Sequence, residues 1–427
     1  MTTDWRASSY RRYVLLLLVI IQACNGLDGL ALGLGVQSIK HDLGLTDGEV
    51  GFLSGIAFAA FYALMGVPIA RWADRGHRVQ VIGFTTLLFS ILVSLCGLAR
   101  SFAQLLLIRI GVAIGEAGGV PASQSLIAEY YERGERPRAL AIYMLGGNLA
   151  IAIGYFVAGR LIDSVGWRNT FLCIGLPAVL PALLALVSVI EPRATGRERD
   201  SGSPGRADAT PSRLLEVLAH LWRIPTFRHL LIAFSIFYFF GFGIQQWMPA
   251  FFIRSFGMST HEVGSWLALL VGCGGFVGTW SGGVIASRFA ADDETRQLRA
   301  MALVFVGFGV AFAGVFLSTT KSGALALVAI AVIGGATING PLFATIQTLV
   351  PPPMRATALA IIYLCANLIG MGLGPLAAGM LSDGLRGAAG EESLRYALLS
   401  LCPGYLWLAW HLKRAAQTVR QDMARSV

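Results

Sequence analysis

RPRALAI at residues 136–142 returns as RATALAI at residues 355–361, identical in five of seven places at an offset of 219 residues. Two further pairs keep that spacing: Pro121 with Pro341, and Asp163 with Asp383, each lie 220 residues apart. One such match could be chance. Three at nearly one offset, each at the same place in its half, mark an internal duplication. What is duplicated is legible from the surroundings. Twelve apolar segments, running from 12–36 to 395–412, are each long enough to cross a hydrocarbon core of about 30 Å. The polar stretch 191–228, opening EPRATGRERDSGSPGRADATPS, parts them into two sets of six. Its Gly, Ser, Pro and Arg leave no apolar face, so it reads as a flexible linker. RLLEVLAHLWR at 213–223 sets apolar residues at helical spacing between basic ones, the pattern of a helix lying along the membrane interface. The expectation is an all-α membrane protein with twelve transmembrane helices in two pseudo-symmetric six-helix bundles. Its parts are an N-terminal bundle over 1-192, a linker with an interfacial helix over 193-228 and a C-terminal bundle over 229-427.

Composition agrees. The 427 residues are 55% apolar and 13% charged with a mean hydropathy of +0.66, against about 25% charged for a soluble domain. The first apolar segment lacks a small-residue cleavage site and eleven more follow it, so no cleaved targeting peptide is expected. A net charge of +9 could signal nucleic acid, but its distribution says otherwise. Of the 33 Lys and Arg, 24 fall on the side of the segments that carries the N-terminus and eight on the other, with Arg109 inside a helix. Such a bias puts the N-terminus, and with an even helix count the C-terminus, in the cytoplasm of an inner-membrane protein. The six cysteines (Cys24, Cys96, Cys173, Cys273, Cys365, Cys402) lie singly in apolar segments and read as packing residues. No metal site, cofactor or disulfide framework is suggested, and the chain is expected to be a monomer.

Three ionisable residues sit well inside apolar segments: Asp28, Arg109 and Glu116. Each costs about 3 kcal/mol at a helix centre on insertion scales, so such residues face the bundle interior and usually serve a function. At about 1.5 Å per residue, Asp28 and Arg109 lie at similar depth and can meet. Glu116 follows Arg109 by two turns on the same face, at the level of a central cavity. A purely structural ion pair is the competing reading. A carboxylate whose counter-charge moves with conformation takes up and releases a proton as it does so, and no histidine lies near mid-membrane, so this triad is the candidate for proton coupling. Asp74 runs against the positive bias of its loop and is read, with Arg75 and Arg78, as a cytoplasmic gate pairing with Arg138 and a helix N-terminus. Candidate cavity positions are Asn25, Tyr62, Tyr143, Asn148, Gln245, Gln246, Trp247, Asn339, Tyr363 and Asn367. Interhelical bridging is the alternative for each of them. Gln245-Gln246-Trp247 stands out because Pro249 follows and can free backbone groups beside a cavity.

GVPIARWADRGHR at 66–78 resembles the signature loop of the major facilitator superfamily, carried by Asp74, Arg75, Gly76 and Arg78. Ala70 stands where that family usually has glycine, and Ser287-Arg288 where the second half would carry Asp-Arg. NGLDGL at 25–30, HDLGLTDGEVGFL at 41–53, RIGVAIGEAGGVPASQSLIAEYYERGERPRALAIY at 109–143, GWRNTF at 166–171 and QQWMPAFF at 245–252 resemble its spinster branch of lipid transporters from bacteria. Gly29 departs from the Arg usual after the Asp. The resemblance implies alternating access around a site between two parallel repeats. The second half has no deeply placed charge, so the expected activity is proton-coupled secondary transport of a lipid-like or amphiphilic small molecule. Transport of small organic anions or drugs is the alternative, followed by a lipid scramblase or membrane enzyme. No Ser-His-Asp arrangement or GxxxxGK[ST] loop appears, so the chain is not read as an enzyme or an ATP-driven pump. Membrane lipids and protons are the expected partners, and nucleic acid is not.

Overall fold

The computed structural model describes residues 7–192, 211–278, 280–281, 293–336, 345–346, 348–350 and 354–426. Among them there is no β-strand. Seven continuous helical runs are long and apolar enough to cross a membrane. Asp47–Cys96, Arg136–Ser188 and Thr357–Ala424 are 50, 53 and 68 residues long, far more than the roughly 20 residues one crossing needs, so each holds two crossings. Lys321–Ala336 and the helix opening at Thr260 supply the remaining spans. Residues 193–210 of the linker expected over 193–228 lie outside the described residues, as do Asn339, Pro341 and Ser287-Arg288.

The chain divides into two compact units. The first comprises Met1–Ser203 with Met258–Ala268, and the second Pro204–Gly257 with Leu269–Val427. In the first, α1 (Ser8–Asn25) and α2 (Leu27–Leu43) pack on the long α8 (Arg136–Gly175), which turns at Gly166 (φ 79°). The pair α3 (Asp47–Ser54) and α4 (Ile56–Trp72) leads into α5 (Arg78–Cys96). Then α5 packs on α6 (Phe102–Glu116), α7 (Gly119–Tyr130) and α9 (Val179–Ser188). Local chemistry sets several boundaries. Thr46 and Glu49 form a reciprocal capping box that starts α3, and Ser101 accepts from Gln104 N to start α6. Residues 258–268 join this unit because α12 (Thr260–Leu267) packs on α8, with the Asp163 carboxylate accepting from His261 N at 2.7 Å.

In the second unit, α10 (Pro211–Arg223) leads through Pro225 into α11 (Pro225–Phe256). The RLLEVLAHLWR string is thus helical, with Leu221 buried and Trp222 exposed. Both α11 and α13 (Glu294–Leu317) pack along α18 (Gly404–Ser426), and α13 packs on α14 (Lys321–Ala336). Phe305, Phe308, Phe312 and Tyr405 interlock in edge-on and stacked pairs at that seam, the geometry aromatic quadrupoles favour. After α15 (Arg355–Cys365), residues Ala366–Leu373 widen into a π-type turn against α11 before α16 (Gly374–Ala389) and α17 (Ser393–Leu401). The cysteines do not share one role: Cys96 and Cys402 are buried, whereas Cys173 and Cys273 are exposed on helix surfaces.

Candidate functional site

Three helix interruptions in the first unit lie beside its buried charges. Gly26 parts α1 from α2, between Asn25 and Asp28. A β-carbon on Gly26 would come within 2.5 Å of the Ala150 side chain, so α8 can approach there only against glycine. Gly55 (φ −104°, ψ −106°) parts α3 from α4, one turn before Phe58. Glu116 is the last residue of α6, and the chain resumes as α7 at Gly119.

Asp28 and Arg109 meet. Both are buried, 1% and 2% exposed, and Arg109 Nη1 donates to Asp28 Oδ2. The guanidinium lies 5.1 Å from the centroid of the Phe58 ring, which stacks at 6.1 Å on Tyr62. The pair is incompletely satisfied. Asp28 Oδ1, Arg109 Nε and Asn25 Oδ1 have no hydrogen-bond partner among the described residues. Buried polar groups in that condition cost about 1–3 kcal/mol each, so the site gains by admitting water or a polar ligand. Asn25 presents its amide against Gly119 at the start of α7. Glu116 is half-buried, within electrostatic range of Asp28, Arg109 and Tyr62. Among the described residues nothing hydrogen-bonds to it. Beside Glu116, a β-carbon on Gly115 would sit 2.8 Å from Phe89 N, so α5 and α6 touch backbone to backbone where the acid is held. Tyr143 is buried and donates to Gln22 Oε1 at 2.8 Å.

Residues 18–375 match the Major Facilitator Superfamily, most of the chain's length. The chain belongs to the Major Facilitator Superfamily. It is 32% identical over 90% of its length to an MFS-type efflux pump of Mycolicibacterium smegmatis, covering 87% of that protein. It is 29% identical to the cis,cis-muconate transport protein of Acinetobacter baylyi, over 58% of this chain and 61% of that one. A crystal structure of a bacterial homolog of the human lysosomal transporter Spinster, inward-facing and unoccupied, superposes with a TM-score of 0.86 at 28% identity. That match covers 97% of this chain and 99% of the other. The fold is thus the all-α major facilitator fold with its twelve crossings, and the protein is a membrane transporter resembling the spinster branch.

The signature loop of this major facilitator chain separates into two parts. The helix breaks at Gly76 (φ 89°), leaving Asp74 and Arg75 exposed. Arg78, read from the sequence as a gate residue with them, is fully buried. Its guanidinium is committed to Glu191, to Glu129 and, at 3.1 Å, to the Ser125 carbonyl. Arg78 therefore ties α5 to α7 and to the end of the crossing that contains α9. Arg138, the partner expected for Asp74, is exposed at the start of α8.

The sequence-derived cavity list divides likewise. Asn25 is buried one turn before Asp28, and Tyr62 lies within electrostatic range of Glu116 and Tyr143, whereas Asn148 is exposed on α8. In α11, Gln245 is exposed and Gln246 half-buried, with its Nε2 lacking a partner among the described residues. Trp247 is a core residue rather than a cavity wall: it is 0% exposed and donates to the Pro375 carbonyl at 2.9 Å. Tyr363 is exposed, and Asn367 is half-buried in the wide turn 366–373. Asn339 lies outside the described residues. Phe58, Gln22, Glu129 and Glu191 are additions that the sequence reading did not make. The string Gly115-Glu-Ala-Gly-Gly119, three glycines around one acid, carried a signal for the break after Glu116.

Proposed function

We propose that this transporter is a proton-coupled secondary transporter of an amphiphilic, lipid-like or drug-like small molecule, working by alternating access. It resides in an inner membrane with both termini in the cytoplasm. The observation that carries the reading is the Asp28–Arg109 pair with unsatisfied Asp28 Oδ1 and Arg109 Nε, beside a half-buried Glu116 that has no hydrogen-bond partner among the described residues. Arg109 commits to Asp28 in this state. Were it to swing toward Glu116, as α6 carries both, Asp28 would lose its counter-charge and take up a proton instead. Proton occupancy would then follow conformation, which is what coupling requires.

Charge balance favours an amphiphile over an organic dianion. With both acids ionised, the triad is net negative, and Arg109 already serves Asp28. A dicarboxylate such as the muconate carried by the Acinetobacter relative therefore meets no uncommitted guanidinium among the described residues of this site. A cationic or zwitterionic head would find Glu116, with the Phe58 and Tyr62 rings for its apolar part. The relative described as an efflux pump supports a drug-like substrate and the Spinster homolog a lipid-like one. Catalysis is not part of the proposal. The test is uptake into proteoliposomes of ethidium, of a fluorescent lysophosphatidylcholine and of cis,cis-muconate, each with and without an imposed pH gradient. Gradient-dependent movement of either amphiphile, but not muconate, is expected. Gradient-driven muconate accumulation alone would transfer the assignment to organic anions.

A further inference from the structure

Where α10 meets α11 and α18 in the second unit, a groove of about 510 Å³ opens among Trp222, Ile232, Ser235, Phe239, Ile369 and Trp407. Its size falls within the range of ligand sites. Its walls are apolar, and Ser235 spends its hydroxyl on the Leu231 carbonyl at 2.9 Å. One turn along α18 the character changes. The Trp407 ring lies 5.9 Å from His411, and His411 Nδ1 lies 2.9 Å from His229 Nδ1. Trp410 stands edge-on to His229 at 6.0 Å, and Arg414 lies over Trp410 at 5.3 Å. Arg228 and Arg414 are both within electrostatic range of His229. Arg223 and Lys413, like Arg414, are exposed. The buried acid at this end of α18, Asp422, accepts from Thr226 N at 2.9 Å and from its hydroxyl at 2.7 Å.

Trp222, Trp407 and Trp410 are exposed by 56%, 55% and 47%, as in the aromatic belts where membrane meets water. An apolar groove thus runs into a cluster of cations at headgroup level. We propose that this groove holds one anionic phospholipid of the surrounding membrane as a resident ligand, an acyl chain in the groove and the phosphate at Arg228 and Arg414. Basic pockets between transmembrane helices select acidic headgroups in this way. A symmetric second copy would set the same cations against each other, so charge argues for lipid over a homodimer. The inference rests on the proposed orientation only in assigning the lipid to the cytoplasmic leaflet.

The test is native mass spectrometry of the purified full chain titrated with phosphatidylglycerol or with phosphatidylcholine of identical chains. The wild type is expected to retain one saturable phosphatidylglycerol in preference to phosphatidylcholine. Arg228→Gln with Arg414→Gln should weaken that preference roughly thirtyfold, about fivefold per basic residue. Ser235→Trp, which fills the groove and leaves the cations, should release the lipid. Equal retention of the two lipids by wild type and the Arg double variant would overturn the site. So would a dimer that forms as lipid is stripped and is lost in Ser235→Trp. Transport is not read here, so failure of the proposed function would leave this result to be judged alone.

Discussion

Replacing Arg78 by Gln tests whether the signature loop is a gate or a fastening. The guanidinium is fully buried and serves two carboxylates, Glu129 and Glu191, whose side chains are 19% and 12% exposed. Glutamine keeps a polar group but leaves two largely desolvated acids facing each other without a cation. Breaking a buried pair from one side costs about 3–5 kcal/mol. Spread over a unit of some 200 residues, where each kcal/mol moves the midpoint by about 2–4 °C, the apparent Tm should fall on the order of 10 °C. Thermal unfolding of the purified variant in detergent, followed by tryptophan fluorescence, reads this directly. Arg75→Gln, one turn away and exposed, should stay within about 1 kcal/mol of wild type. Adding Glu191→Gln to Arg78→Gln removes one of the stranded charges and should recover part of the loss. If Arg78→Gln melts with the wild type, the side chain is not fastening these helices and the burial argument fails.

Further outcomes follow from the same geometry. Asp28→Asn should destabilise the protein by about 3–5 kcal/mol because it strands Arg109, and Asp28→Asn with Arg109→Gln should regain much of it; denaturant midpoints of the single and double variants check this. Glu116→Gln should unfold like wild type, since no bond is lost, while gradient-driven transport disappears. Gly115→Ala must displace the Phe89 backbone and should cost about 1–3 kcal/mol, read as a lowered Tm with transport falling in parallel. Trp247→Phe removes the bond to Pro375 from a closed core and should cost about 1 kcal/mol without changing the relative uptake of different substrates.

The sequence was most informative where membrane burial makes a residue expensive. Asp28 and Arg109 were legible because an intramembrane charge needs a partner and helical rise sets its depth; the two are bonded as depth implied. That residues 213–223 form a helix was legible for a related reason, since their apolar residues recur at helical spacing. Arg78 was not. The charge bias along the loop treats Arg75 and Arg78 alike, and what separates them is Glu191, 113 residues on. Trp247 escaped for the same reason: its indole finds a carbonyl 128 residues away, and no local pattern distinguishes a wall of a cavity from a member of the core. The break between α6 and α7 was written in the glycines around Glu116, but an apolar window twenty residues wide averages it away.

The measurement closest to the central claim uses proteoliposomes loaded with a pH-sensitive dye, carrying either wild type or Glu116→Gln, and presented with the lysophosphatidylcholine or ethidium probe under an inward proton gradient. Proton flux that starts when the probe is added to wild type, scales with probe movement and is absent from Glu116→Gln is the expected result. Probe movement at the same rate with no gradient, or undiminished proton flux in Glu116→Gln, would contradict coupling through this site.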